Sequence, residues 1–200
     1  MTAPGRLIVF EGGEGSGKST QAALLATRLG AVLTREPGGT GIGARIRSLV
    51  LDPAVGTSLD VRAEALLMAA DRAQHVAEVV RPALERGDDV VSDRFTGSTL
   101  AYQGYARGLD VEELASLSRW ATGGLEADVV LFLDLPTEVA GARMKRSPDR
   151  MEAAGDAFHR RVAEGYRALA AAHPDRWRVI DGSGSVEDVE VLVGKAFGAT

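Results

Sequence analysis

Gly12-Gly13-Glu14-Gly15-Ser16-Gly17-Lys18-Ser19, with Thr20 after it, has residue types and spacing that could do chemistry. It fits G-x-x-x-x-G-K-[ST], the P-loop pattern. Glycines let backbone N–H groups turn inward around phosphate oxygens, because no Cβ opposes a positive φ. A helix starting near Lys18 would add the positive end of its dipole. Lys18 would bridge the β- and γ-phosphates of a nucleotide, and the Ser19 hydroxyl would ligate Mg²⁺. The alternative is a glycine-rich turn with a stray Lys-Ser. The flanks argue against it: Leu7-Ile8-Val9-Phe10 is an apolar run of strand length, and Gln21 to Leu29 is rich in helix formers and closed by Gly30.

The elements that must hold this loop follow from periodicity and punctuation. The first strand covers roughly 6–11. Ala31-Val32-Leu33-Thr34 is a short second strand that runs into a turn at Arg35-Glu36-Pro37-Gly38-Gly39-Thr40. Ile42, Ile46, Leu49 and Val50 have helical spacing. Ser58 to Arg86 reads as one long helix, bent near Pro82 and closed by Gly87. Val90-Val91-Ser92 is a buried strand ending in Asp93-Arg94, and a helical segment with Leu100, Ala101 and Tyr102 follows. Asp110 with Glu113 resembles a capping box. Val129 to Leu133 is the clearest strand, apolar enough to be covered on both faces. A helix passes through Phe158, Val162, Tyr166 and Leu169, Arg178-Val179-Ile180 is the last strand, and Ser185 with Asp188 caps the last helix. Strands alternating with helices predict an α/β fold: a five-stranded parallel sheet flanked by helices on both faces, in a single domain over 1–200. Ligands of such sheets sit beyond the carboxyl ends of the strands.

Composition narrows the partners. The formal charge of −5 argues against a general nucleic-acid surface. The chain has no cysteine, which excludes disulfides, thiolate metal sites and a cysteine nucleophile. The three histidines are far apart, without zinc-ligand spacing. No stretch approaches the ~20 apolar residues of a membrane span, and the first apolar run is too short for a signal peptide. The expectation is a cytoplasmic protein with no membrane contact.

A P-loop alone says only that a nucleoside triphosphate is bound. No N-K-x-D sequence is present to read guanine, and 200 residues leave little room for a motor, helicase or transporter domain. Further charged clusters lie beyond the strand ends, as a second phosphorylated substrate would require. Phe10 to Thr20, Thr34-Arg35-Glu36-Pro37-Gly38-Gly39-Thr40, Ala69-Ala70-Asp71-Arg72-Ala73-Gln74-His75, then Asp93-Arg94-Phe95 with Ser98 and Ala101 to Gly108, resemble bacterial thymidylate kinase, of the P-loop nucleoside monophosphate kinases. The resemblance runs in order along the chain. It implies ATP + dTMP → ADP + dTDP, with Mg²⁺, in a homodimer.

Each residue then has an expected role. The loop residues Gly12, Gly13, Glu14, Gly15, Ser16, Gly17, Lys18, Ser19 and Thr20 hold ATP. Arg94, after a buried strand, can clamp the acceptor's 5′-phosphate bidentately or pair with a neighbour. Asp93 holds a Mg²⁺-bound water, accepts from the incoming phosphate, or only orients Arg94. Arg72, a charge among alanines, must be paired or face a cavity, and the resemblance implies that it bonds thymine. Asp71 could equally be its structural partner. Glu36, Pro37 and Arg47 would line the acceptor pocket. Thr99 and Gln103, four apart on one helix face, offer hydrogen bonds to the base edge, and Ser98 lies in the same motif. In the family, Tyr102 packs against the deoxyribose where a 2′-hydroxyl would sit. The position that usually stacks a phenylalanine on thymine reads Met68, a departure from the pattern; a thioether can still cover a ring face.

The loop contains no arginine between Gly12 and Gly17. The family supplies such a cation either from an arginine in the P-loop or from basic residues in a mobile lid; this chain fits the second, with a lid at about 143–154, Arg150 and Arg146 closing over ATP and Arg143 next, and the other reading of the run is a solvated charged face. Glu14 would order the acceptor's sugar or the metal's waters. Asp134 resembles a Walker-B acid by position or caps the helix after Pro136. No strong general base is needed, because the attacking phosphate oxygen is already ionised. The rivals are a kinase for another nucleoside monophosphate and a nucleotide-dependent switch with no small acceptor.

Overall fold

The computed structural model describes residues 4–56, 58–143 and 148–198. Five strands form one sheet: β1 (Leu7–Glu11), β2 (Val32–Arg35), β3 (Val90–Asp93), β4 (Val129–Asp134) and β5 (Trp177–Asp181). Their order is β2-β3-β1-β4-β5, and every pairing is parallel. The carboxyl ends therefore share one edge, which brings together the loop after Glu11, the Glu36 turn and the Asp93-Arg94 pair.

Alternation along the strands divides the core. Ile8, Phe10, Leu131, Leu133 and Ile180 pack beneath α1 (Lys18–Leu29) and α9 (Val186–Gly198), through Ala22, Leu25, Val189 and Val193. On the other face Leu7, Val9, Val90 and Val130 meet Val76, Val80 and Ala83 of the long helical run. Phe132, also on that face, stacks on Tyr166 of α8 (Asp156–Ala172) with ring centroids 5.3 Å apart.

Helix α2 (Gly41–Leu51) starts at Thr40, whose side chain accepts from the Gly43 N–H. The long run consists of α3 (Val61–His75), a wide π-turn at Val76–Val80, and α4 (Arg81–Glu85). Pro82 explains the wide turn: it has no N–H to donate and its ring crowds the carbonyl four residues back. Nothing in the residue pattern marks the second wide turn, Leu100–Ala106, which continues α5 (Thr96–Thr99). Asp110 accepts from the Glu113 N–H at 2.8 Å and opens α6 (Val111–Thr122). After β4 comes α7 (Thr137–Arg143). Ser185 and Asp188 cap α9 reciprocally, each accepting from the other's backbone N–H. Among the described residues no helix is long and apolar enough to cross a membrane.

Candidate active site

The phosphate loop is shaped by positions where only glycine fits. Gly15 has φ 72°, and a Cβ there would lie 2.3 Å from the Ala140 carbonyl oxygen. Gly17, at φ 86°, is the residue from which α1 starts. The buried Lys18 donates to the Gly13 carbonyl at 3.0 Å, and its Nζ lies 3.8 Å from Glu14. Burial, then the charge of Arg94, pushes the Lys18 ammonium below its ordinary pKa. Ser16 Oγ is buried with no hydrogen-bond partner among the described residues. Ser19 Oγ donates to Asp93 Oδ2 at 2.5 Å, and Asp93 Oδ1 is buried and unpartnered among those residues.

Arg94 organises the opposite wall. It is the one non-glycine described residue with a positive φ, 77°, and its backbone N–H donates to the Phe10 carbonyl at 2.9 Å. Such a conformation is costly and needs surrounding structure to hold it. Its Nη1 donates to the Gly12 carbonyl at 3.1 Å, Ser98 Oγ at 3.0 Å and the Tyr166 hydroxyl at 3.0 Å. Its Nη2 donates to Glu14 Oε1 at 2.6 Å and to the Tyr102 hydroxyl at 3.2 Å. Tyr102 in turn donates to Glu14 at 3.0 Å. Burial would raise the Glu14 carboxyl, but Arg94 and Lys18 outweigh it and hold its pKa at about 2. Beneath this layer the fully buried Glu11 accepts from the Phe95 N–H, from the Ser98 N–H and hydroxyl, and from the Tyr166 hydroxyl. Burial raises the Glu11 pKa in spite of those donors.

Between Lys18 and α3 lies a cavity of about 150 Å³ lined by most of the residues expected from the sequence. Arg47, Met68, Arg72, Thr99, Tyr102 and Gln103 all face it. Arg72 is buried; its Nε donates to Glu36 at 2.8 Å and its Nη2 to the Phe95 carbonyl at 2.9 Å. Its Nη1 is buried with no partner among the described residues. Glu36 is thus taken up inside the protein, since its other oxygen bonds His75 Nδ1 at 2.8 Å and His75 Nε2 meets Thr34. Asp71 is not the partner of Arg72: it accepts from the Gly38 N–H at 2.9 Å. Arg47 donates to the Pro37 carbonyl, and burial followed by the charge of Arg35 lowers its pKa. Ser98 faces the cavity, but its hydroxyl is committed to Glu11 and Arg94.

Two of the three lid arginines are engaged elsewhere in the chain. Arg150 does not lie over the phosphate loop: it is buried beside α3, where Nε donates to the Val50 carbonyl at 2.7 Å and Nη2 pairs closely with Glu64. Arg143 donates to the carbonyls of Gly182, Ser183 and Gly184 in the loop after β5. Both arginines find carbonyl or carboxylate acceptors within the chain for part of a guanidinium's five donors. Arg146 lies outside the described residues. Asp134, at the end of β4, accepts a bidentate pair from Arg167.

Sequence reasoning missed Glu64, His75, Glu11 and Tyr166. Each acts through another residue rather than lining the front of the site. The only signal was an ionisable or polar residue within an apolar period, as at Glu64 and His75.

The sequence profile of the thymidylate kinase family matches residues 10–193. The thymidylate kinase of Desulfovibrio desulfuricans is 53% identical over 206 residues, covering 96% of this chain and 94% of the relative. That of Bifidobacterium longum is 50% identical, covering 92% and 93%. A crystal structure of thymidylate kinase from Ehrlichia chaffeensis superposes with a TM-score of 0.79 at 32% identity, over 98% of this chain and 99% of that one. Both the sequence and the architecture around Lys18 and Arg94 therefore place this chain in the thymidylate kinase family.

Proposed function

We propose that the protein transfers the γ-phosphoryl group of ATP to the 5′-phosphate of dTMP, giving ADP and dTDP. The observation that carries this reading is Arg94: a guanidinium only 12% exposed, fixed by five hydrogen-bond acceptors on the wall of the cavity that Lys18 also lines. A switch protein has no use for that second cation.

In this reading the loop from Gly12 to Thr20 cradles the ATP phosphates, and Lys18 draws charge off the transferring group. Unpartnered Ser16 Oγ suits such a cradle. Arg94 grips the acceptor phosphate and Arg47 lies nearby. Glu14 and Tyr102 stand where the sugar would be, with the Tyr102 ring limiting space at its 2′ face. Met68 covers the base, and Arg72 Nη1, Thr99 and Gln103 read its edge. Glu36 and Ser98 serve by holding Arg72 and Arg94. Positioning and charge neutralisation carry the catalysis.

The residues present fit a magnesium ion. Ser19 Oγ and Asp93 Oδ2 adjoin, and the second, buried oxygen of Asp93 has no hydrogen bond among the described residues. Mg²⁺ commonly takes few protein ligands and fills the rest with water and phosphate; bound here it would neutralise charge on the β- and γ-phosphate oxygens. Among the described residues no cluster of three acidic or histidine ligands offers a different metal site.

Arg143, Arg146 and Arg150 remain in the proposal as a source of cation near ATP, with Arg150 requiring release from Glu64. We also propose a homodimer, supported by the exposed Leu66 and Trp120 on the packed helices α3 and α6, and a cytoplasmic location. Mass in solution at twice the 21.0 kDa of one chain is the expected dimer result.

Turnover of dTMP, dUMP and dCMP with ATP and Mg²⁺ tests the activity. Preference for dTMP is expected. Equal use of all three would contradict the thymine assignment, and ADP release indifferent to dTMP would contradict the kinase.

A further inference from the structure

Glu64 is buried behind the acceptor cavity and does not line it. Its Oε1 accepts from Gln103 Nε2 at 2.8 Å. Its Oε2 pairs with Arg150 and, at 3.4 Å, with Arg107. A carboxylate paired with guanidinium groups only accepts. The Gln103 amide can therefore meet it only NH₂ first, whatever the ambiguity that usually attends amide orientation. Its carbonyl oxygen is left as the free end of a side chain that lines the cavity.

Arg72 supplies the complement: its side chain lines the same cavity, and its buried Nη1 has no partner among the described residues. One acceptor and one donor are thus available to the base. Thymine and uracil present an N3–H donor between two carbonyl acceptors. Cytosine presents an N3 acceptor beside an amine donor, so both contacts would oppose it.

We infer that Glu64 is a positioning residue for base selection: by fixing which end of the Gln103 amide faces the cavity, it favours pyrimidines protonated at N3 over cytosine. This rests on the proposal that dTMP occupies the cavity. The selectivity arises one residue behind the substrate, in a group that never touches it. A buried polar mismatch of this kind discriminates strongly, because the unmatched group has already lost its water.

The test is Glu64→Gln, which is isosteric but offers both a donor and an acceptor, so the Gln103 amide can turn over. The ratio of kcat/KM for dTMP to that for dCMP should fall by at least about tenfold. The dTMP:dUMP ratio should stay unchanged, since both bases carry N3–H. Glu64→Asp, shorter but still acceptor-only, should keep the dTMP:dCMP ratio even where overall activity drops. An unchanged dTMP:dCMP ratio in folded Glu64→Gln, or an equal fall for all three substrates, would overturn the inference. If circular dichroism shows that Glu64→Gln does not fold, Gln103→Met decides: it should lower the dTMP:dCMP ratio, and an unaltered ratio would overturn the inference. Wild-type protein that uses dCMP as well as dTMP would instead defeat the proposed function itself. Selective wild-type protein with an unmoved variant ratio defeats only the role of Glu64.

Discussion

Arg94 Nη2 lies 2.6 Å from Glu14 Oε1, so the two charged residues of the cleft are joined directly. The pairing explains how an arginine can sit buried at φ 77° and why an acid is tolerated in a phosphate loop. Its consequence for stability has a definite sign. The Glu14 carboxyl falls from 4.5 to about 2 on folding. A depressed carboxylate stabilises the fold above its unfolded pKa, and that contribution is lost as pH falls through the folded value. Wild-type protein should lose up to ~3 kcal/mol from this site between about pH 5 and pH 2, and Glu14→Gln should lack that slope. Urea unfolding across the range checks it, and parallel curves would contradict it.

Lys18→Ala should lower kcat by at least ~10²-fold, since it removes a preorganised cation from a desolvated site. The apolar core under α1 does not depend on Lys18, so the far-ultraviolet circular dichroism should be unchanged. Turnover at the wild-type rate would remove Lys18 from the mechanism.

Arg94→Lys keeps a charge and loses the fork that reaches Gly12, Ser98, Tyr166, Glu14 and Tyr102. KM for dTMP should rise at least ~10-fold, with a smaller effect on KM for ATP. Equal effects on both constants would show that Arg94 shapes the whole cleft instead of holding the acceptor.

Tyr102 separates two roles. Tyr102→Phe deletes the hydroxyl shared with Glu14 and Arg94 but keeps the ring. It should weaken dTMP use by roughly 0.5–1.5 kcal/mol and leave rejection of ribonucleotides intact. Tyr102→Ala should relax that rejection. Ribothymidine monophosphate measured against dTMP separates them, and unaltered selectivity in Tyr102→Ala would end the steric argument.

Arg150→Ala tests where that side chain works. Removing it strands Glu64 with only the longer contact to Arg107 and the Gln103 amide. Truncating one side of a buried ion pair costs about 3–5 kcal/mol, so Tm should fall by roughly 6–20 °C. An unshifted Tm would return Arg150 to a role over ATP alone.

The contrast between Lys18 and Arg150 shows what was legible in the sequence. The loop around Lys18, the strands on both sides of it and the Ser185–Asp188 cap are local patterns, each set by residues a few positions apart, and they came out where expected. Arg150 and Arg143 are expected over ATP from a phosphate loop without arginine and the family's basic lid, but their positions depend on acceptors far along the chain, at Glu64 and at Gly182. Glu36 and Ser98 line the cavity, yet their hydrogen bonds run to His75 and Glu11, and no spacing announces those partners. The wide turn at Val76–Val80 had a cause in Pro82, whereas the one at Leu100–Ala106 has none that periodicity reveals.

The most direct measurement follows the label. Incubated with ATP carrying radioactive γ-phosphate, Mg²⁺ and dTMP, the protein should produce labelled dTDP, with ADP formed in equal amount and only when dTMP is present. Label released as inorganic phosphate at the same rate with or without dTMP would contradict the account.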